Sequence, residues 1–218
     1  MLALLHTSPV HVPVFDALRD RDHPGLALRH LVHEGLLDRA REAGPEAVAA
    51  ELRVLLGEAV AEGATAVLCT CSTIGAVAEA SGAALGVPVL RVDRPMAAAA
   101  VAVAPDRLAV RIAVVAAVES TLGPTAALIT EEAERLGRTV ELRSLCVEGA
   151  WARFESGDRD GYVDAVAAAV DVIAGADAVV LAQASMADAA HRTRTAVPVL
   201  SSPRPGLSAA VAALRPEH

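Results

Sequence analysis

Aromatic residues are almost missing from this chain, with one tryptophan, one tyrosine and two phenylalanines in 218 residues. Yet 54% of it is hydrophobic. The apolar surplus is alanine, valine and leucine, which suits helices packed closely on a parallel sheet. Long hydrophobic runs are missing too. Stretches such as residues 96–104 fall well short of the roughly 18–20 residues that span a bilayer. The mean hydropathy of +0.43 is therefore read as a buried core and not as a membrane segment. Residues 1–5 carry no basic segment before a long apolar one, so no secretory signal is read there. Net charge is −8, and no arginine cluster is long enough to follow a phosphate backbone, which argues against nucleic acid. Glycine-rich phosphate loops are absent. Cysteine is scarce: Cys69, Cys71 and Cys146 form no disulfide framework and fit a reducing cytoplasm.

What the chain does contain is itself, twice. GATAVLCTCST at 63–73 aligns without a gap on GADAVVLAQAS at 175–185, an offset of 112. VPVL occurs at 87–90 and again at 197–200, and ALL at 3–5 answers AVV at 113–115, both at an offset of 110. VHEG at 32–35 answers VEG at 147–149. Such order at nearly constant spacing is an internal duplication, with one half over 1–105 carrying Cys71 and the other over 106–218 carrying Gln183. Each half predicts the same elements. A strand (2–5; 112–115) leads to a helix with proline near its start (13–18; 124–136). A second strand (26–32; 140–147) leads to a long amphipathic helix (45–62; 160–174). A third strand (66–70; 178–182), another helix and VPVL as the fourth strand complete the half. The expected fold is α/β: two similar Rossmann-like halves with parallel sheets, related by a pseudo-two-fold duplication, with an active-site cleft between them.

Ligands in such folds bind beyond the carboxyl ends of the strands. That rule selects Thr7 and Ser8, Cys71, Ser72 and Thr73, Ser120 and Thr121, and Gln183, Ala184 and Ser185. Alternate residues of a strand point the same way. Cys69, inside the apolar run, reads as a small buried hydrophobe. Cys71 comes where strand gives way to helix, and a helix N-terminus stabilises a thiolate. Ser72 and Thr73 could simply cap that helix, or could hold a substrate carboxylate at its start. A metal clip lacks further ligands at sensible spacing, since His30 and His33 have no cysteine companion. A disulfide across one residue would be strained.

Cys71-Ser72-Thr73 at a strand end, LAQASMA at 181–187, LLHTSPVHVP at the start and RVDRPM at 91–96 resemble the aspartate/glutamate (hydantoin) racemase superfamily. This group includes maleate isomerases and arylmalonate decarboxylases, and the likeness covers nearly the whole chain. It implies chemistry without pyridoxal phosphate or metal, in which one cysteine removes the proton α to a carboxylate and a second delivers one to the opposite face. Threonine, serine and backbone N–H groups stabilise the enediolate, and the thiol works best with a pKa near the operating pH. Here the repeat puts Gln183 opposite Cys71, and an amide cannot shuttle protons at neutral pH. The chain thus resembles members with a single catalytic-position cysteine. The resemblance implies a cofactor-independent isomerase or lyase, including decarboxylase chemistry, acting at the carbon α to the carboxylate of a small acid, with Cys71 as acid/base and Gln183 orienting the carboxylate. Three alternatives stand beside it. Cys71 could add to an activated double bond. The protein could be an aspartate/glutamate- or hydantoin-type racemase with a non-cysteine second base. It could instead be a non-catalytic carboxylate-binding protein. His6, His33 and Glu34 follow strands and are candidates for a second base, although each reads better as a hydrogen-bonded rim residue.

Other features read as structure. Asp158-Arg-Asp-Gly begins like a calcium loop but has Ala169 where the twelfth ligand belongs, so a turn into a helix is expected. Arg94 and Arg204 follow the fourth strands and are expected in surface ion pairs before any role in binding. Cys146, Trp151, Phe154 and Tyr162 are expected in packing. The expected partner is a small carboxylate, with no nucleic acid and no membrane, in a cytoplasmic protein; the resemblance adds a homodimer.

Overall fold

The computed structural model describes residues 1–214, and residues 215–218, the end of the expected second half, lie outside the described residues. Two compact units form. The first comprises Met1–Val92 together with the helix Pro203–Ala212, and the second is Asp93–Ser202.

In the first unit, strands β1 (Leu2–His6), β2 (Leu28–Val32), β3 (Ala66–Cys69) and β4 (Val89–Arg91) lie in the order β2-β1-β3-β4, all parallel. β1 and β3 are apolar on both faces because both faces are covered. Ala3, Leu5, Val67 and Cys69 point to one layer, α2 (Gly35–Ala43), α3 (Ala49–Ala61) and α4 (Ser72–Ala80), meeting Leu36, Leu52, Leu56, Ile74 and Ala78. Leu2, Leu4, Ala66 and Leu68 point the other way, to Phe15 on α1 (Val12–Asp22) and to Leu207 and Ala210 on the C-terminal helix. A short α5 (Gly82–Leu85) leads into β4.

The second unit repeats this plan. β5 (Ala109–Ala116), β6 (Thr139–Cys146), β7 (Ala178–Leu181) and β8 (Val199–Ser201) run parallel in the order β6-β5-β7-β8. One face buries Ile112, Val114, Ala178 and Val180 against α6 (Arg94–Ala102) and α7 (Leu122–Arg135). The other buries Val115, Val179 and Leu181 against α8 (Ala150–Glu155) and α9 (Arg159–Asp171). The register repeats as well. Leu5 pairs with Cys69, and Val115 pairs with Leu181.

Several local expectations shift. VPVL contributes only its end to each fourth strand, because proline has no N–H to donate. The Pro88 and Pro198 carbonyls accept from Val67 and Val179 instead. The expected helix over 45–62 is a 3-10 turn, Pro45–Val48, followed by α3, and α2 and α8 are additional. Where the first unit has α4, the second has a 3-10 helix, Ala184–His191. Its buried Met186 and Ala189 are three apart, which is the repeat of that helix. Among the described residues, no helix is long and apolar enough to cross a membrane.

The last helix of each repeat packs away from the strand that precedes it. α6 follows β4 but belongs to the second unit, and α10 (Pro203–Ala212) follows β8 but belongs to the first. Two side-chain details fix these helices. Arg94 on α6 reaches Glu132 on α7 at 2.6 Å and Glu131 at 2.9 Å, which is the expected ion pair. Arg204 pairs with Asp22 on α1 at 2.9 Å.

Gly206 on α10 approaches Val92 so closely that a Cβ would lie 2.4 Å from the Val92 carbonyl oxygen. Backbone cannot yield as a flexible side chain would, so Gly206→Ala should destabilise the first unit by about 1–3 kcal/mol or more, read as a lower denaturation midpoint at unchanged slope. Glu132 is fully buried. Burial pushes its carboxyl up, but hydrogen bonds from Arg135 and Arg94 outweigh this and hold it below the usual value. Its contribution to stability is therefore present above the ordinary carboxylate range and is lost as pH falls through the lowered value. Glu132→Gln should flatten that acid limb of the stability–pH curve.

Candidate functional site

In the first unit, β3 ends at Cys69 and α4 begins at Ser72, leaving Cys71 as its N-cap in extended backbone, φ −112° and ψ 117°. Cys69 is fully buried, and its thiol donates to the Cys71 carbonyl at 3.6 Å. Cys71 is half-buried. The two cysteines are thus a packed anchor and the strand-end thiol that it steadies; all three cysteines are free. Neither Ser72 nor Thr73 is the N-cap, which corrects the capping alternative: the helix begins at Ser72, so both hydroxyls lie within its first turn. Thr7 and Ser8 follow β1 on the neighbouring strand. Among the described residues, no hydrogen-bond partner is found for the hydroxyls of Thr7, Ser8 and Thr73.

α4 sits close to the sheet because of Gly75, where a Cβ would lie 3.1 Å from Arg91 Nε and 3.3 Å from Arg91 Cβ. Arg91 is itself buried. The alanine-rich pattern around residue 75 gives no hint of this guanidinium beneath the helix.

His6 is not a rim residue. It is fully buried, because as the last residue of β1 it shares the face of Leu2 and Leu4 and points under α1. Its Nδ1 lies 2.8 Å from Thr70 Oγ1, and its Nε2 lies 2.9 Å from His30 Nδ1. His30 Nε2 in turn faces Asp16 at 3.3 Å. The ring lies against Phe15 and His30, with centroids 5.6 and 5.1 Å away. Burial, then His30 and His11, push its pKa down to about 3. With both nitrogens engaged, His6 is a poor second base. His33 is half-buried and Glu34 exposed.

In the second unit, Gln183 stands two residues past β7 as Cys71 stands two past β3, each the N-cap of the following helix. Its Oε1 accepts from the Ala117 N–H at 2.7 Å and the Val118 N–H at 3.1 Å. Backbone N–H groups only donate, so these contacts fix the amide with its oxygen inward. Its nitrogen has no partner among the described residues. Ala117 and Val118 stand 110 residues after Thr7 and Ser8, at the same place past the central strand. Ser120 and Thr121 lie beyond them in the 3-10 turn Glu119–Thr121. Ala184 starts the 3-10 helix after Gln183, and the Ser185 hydroxyl meets the Tyr162 hydroxyl at 2.9 Å. Tyr162 is fully buried, and burial pushes its pKa up to about 12. Trp151 and Phe154 stack at 4.7 Å beside it. Cys146 is half-buried, and burial, then Glu119 and Glu148, raise its thiol pKa. Asp158 caps α9 by accepting from Gly161 N–H. Among the described residues, no cluster of three or more histidine, cysteine, aspartate or glutamate side chains could hold a metal ion.

The sequence profile of the family described as Asp/Glu/Hydantoin racemase matches residues 13–211. Among solved structures, glutamate racemase from Aquifex pyrophilus superposes with a TM-score of 0.63 at 15% identity, over 95% of this chain and 81% of that one. Allantoin racemase from Klebsiella pneumoniae gives 0.58 at 18%, over 97% and 84%. Unliganded arylmalonate decarboxylase gives 0.57 at 20%, over 100% and 93%. At such identities these likenesses speak for the fold. No curated protein is a significant sequence match.

Gln183→Ala would remove the acceptor from two N–H groups at once. It should lower the stability of the second unit by about 1–3 kcal/mol, measured by denaturant unfolding. Gln183→Glu, which keeps an oxygen in place, should lose less.

Proposed function

The chain belongs to the Asp/Glu/hydantoin racemase family, and on that premise we propose that it is a cofactor-independent isomerase or lyase acting at the carbon α to a carboxylate of a small acid, with Cys71 as the acid/base. The observation that carries this reading is the cap on the second unit. There the paired N–H groups of Ala117 and Val118 hold the side-chain oxygen of Gln183. At their duplicates, Thr7 and Ser8, the repeat sets Cys71 where the glutamine would stand, and no side-chain oxygen accepts from their N–H groups among the described residues. An oxygen acceptor is what such a pair lacks, and a substrate carboxylate supplies one.

In this reading the Thr7 and Ser8 N–H groups and the hydroxyls of Thr7, Ser8 and Thr73 are the donors available to the two oxygens of the carboxylate. The N-terminal end of α4 favours the negative charge. In decarboxylation the C–CO₂⁻ bond at the α-carbon breaks, CO₂ leaves and the electron pair moves into the remaining carboxylate to form an enediolate; in isomerisation the Cys71 thiolate takes the α-proton and the C–H electron pair moves the same way. The same donors stabilise the growing charge. Cys71 then gives its proton to the α-carbon, and the thiolate takes a proton from water or from the next substrate. All 19 cationic side chains are arginine, so no lysine is present to form a Schiff base, in keeping with chemistry that needs no pyridoxal phosphate.

Gln183 supports a one-thiol reaction, such as decarboxylation of a malonate-like acid or isomerisation, over a two-thiol racemisation. A racemase would need another second base, and the engaged nitrogens of His6 leave His33 and Glu34 as candidates. The free cysteines fit a cytoplasmic setting.

Proton NMR in D₂O tests the proposal with both enantiomers of aspartate and glutamate, a hydantoin, maleate and an arylmalonate. Wild type should introduce solvent deuterium at the α-carbon of one panel member with one stereochemical outcome. Cys71→Ser should slow this by about a hundredfold or more. Equal turnover by the variant would remove Cys71 from the reaction. Tight binding of a panel member without any conversion would make the protein a carboxylate-binding module.

A further inference from the structure

The side chains of Asp16, His30, His6 and Thr70 come from four elements and form one continuous chain of contacts at 3.3, 2.9 and 2.8 Å. The Asp16 carboxylate only accepts, so His30 Nε2 donates to it. The Thr70 hydroxyl donates to the Leu5 carbonyl at 3.0 Å, and that carbonyl also accepts the Thr70 backbone N–H at 2.9 Å. The hydroxyl oxygen is thereby open to His6 Nδ1 at 2.8 Å, and His6 bridges Thr70 and His30 through its two ring nitrogens.

Thr70 is the residue immediately before Cys71. Its backbone is tied to β1, its side chain to His6, and the Cys71 carbonyl is held from the other face by the Cys69 thiol. We propose that His6 is a positioning residue for Cys71: the Asp16–His30–His6–Thr70 chain fixes the strand-end peptide that presents the thiol at the start of α4. His6 does not touch substrate in this account. The charged and titratable groups facing it are His11 from the 3-10 turn after β1, Asp16 from α1 and His30 from β2, while Phe15 covers its ring. The proposal rests on the reading of Cys71 as the reacting group, but its test does not need turnover.

Two measurements on the full chain decide it. Long-range ¹H–¹⁵N correlation should find His6 with one ring proton and both nitrogens shifted by hydrogen bonding. A second proton, or a ring nitrogen without any partner, would overturn the chain. The second measurement is the rate of Cys71 alkylation by iodoacetamide, located by tandem mass spectrometry. Thr70→Val, nearly isosteric, and His6→Gln should each slow it about threefold or more, and the double variant no further, as members of one network do. His6→Asn keeps an amide within reach of Thr70, where Nδ1 sits, and should stay within about twofold of wild type. If Asn and Gln slow alkylation equally, or Thr70→Val leaves it unchanged, His6 is only a packed core residue. Should wild type convert none of the small acids, the functional reading fails while this comparison still stands. Should conversion survive in Thr70→Val at full rate with unchanged alkylation, the positioning role fails and the functional reading stands.

Discussion

A parallel strand that ends before its neighbours' loops close over it leaves backbone N–H groups without a carbonyl to bond. Buried donors of this kind must find an acceptor. The duplicated chain meets this requirement at two places and answers it in two ways. Past β5, the N–H groups of Ala117 and Val118 take the oxygen of Gln183. Past β1, the duplicate position opposite is Cys71, whose thiol is a weak acceptor and short in reach. One unit satisfies its strand end from within. In the other, no side-chain oxygen takes the Thr7 and Ser8 N–H groups among the described residues.

Each sheet is covered on both faces by apolar side chains, so close packing sets where the strand ends lie. Gly75 and Gly206 are two places of close approach, the first over Arg91 and the second against Val92. Both contacts lie in the first unit, the unit that carries Cys71. On the opposite face of the same strand end, His6 and Thr70 add polar contacts where aliphatic packing alone would leave the peptide free to rotate. In the proposed reaction the Cys71 thiol gains from such anchoring.

The periodic part of this design was legible in the sequence. Matching segments at offsets of 110 and 112 located the first and third strands of each half and set Cys71 and Gln183 at equivalent positions after the third, since a repeated apolar pattern repeats its elements. What escaped were contacts between residues far apart in sequence. Nothing local to His6 says that Asp16, His30 and Thr70 converge on it, and a histidine ending a strand reads equally well as rim. The homes of α6 and α10 escaped for a related reason. An alanine-rich helix after a fourth strand has the same pattern whichever sheet it covers, and only the Arg94–Glu132 pair and the Gly206 approach reveal the choice. Gln183 was placed correctly, but that its oxygen would be taken by its own unit's backbone depends on where the loop after β5 turns.

That last point bears on chemistry. A glutamine at a second thiol's position could be a lost catalyst, or it could be a replacement chosen for what an amide does. An alanine or serine there would leave two N–H groups past β5 without a partner, at a cost comparable to a lost buried hydrogen bond. A cysteine would meet them only weakly. Glutamine reaches them with its oxygen and still turns an N–H₂ group away from the backbone. It thereby presents a fixed donor where a cysteine would present a proton-transfer group.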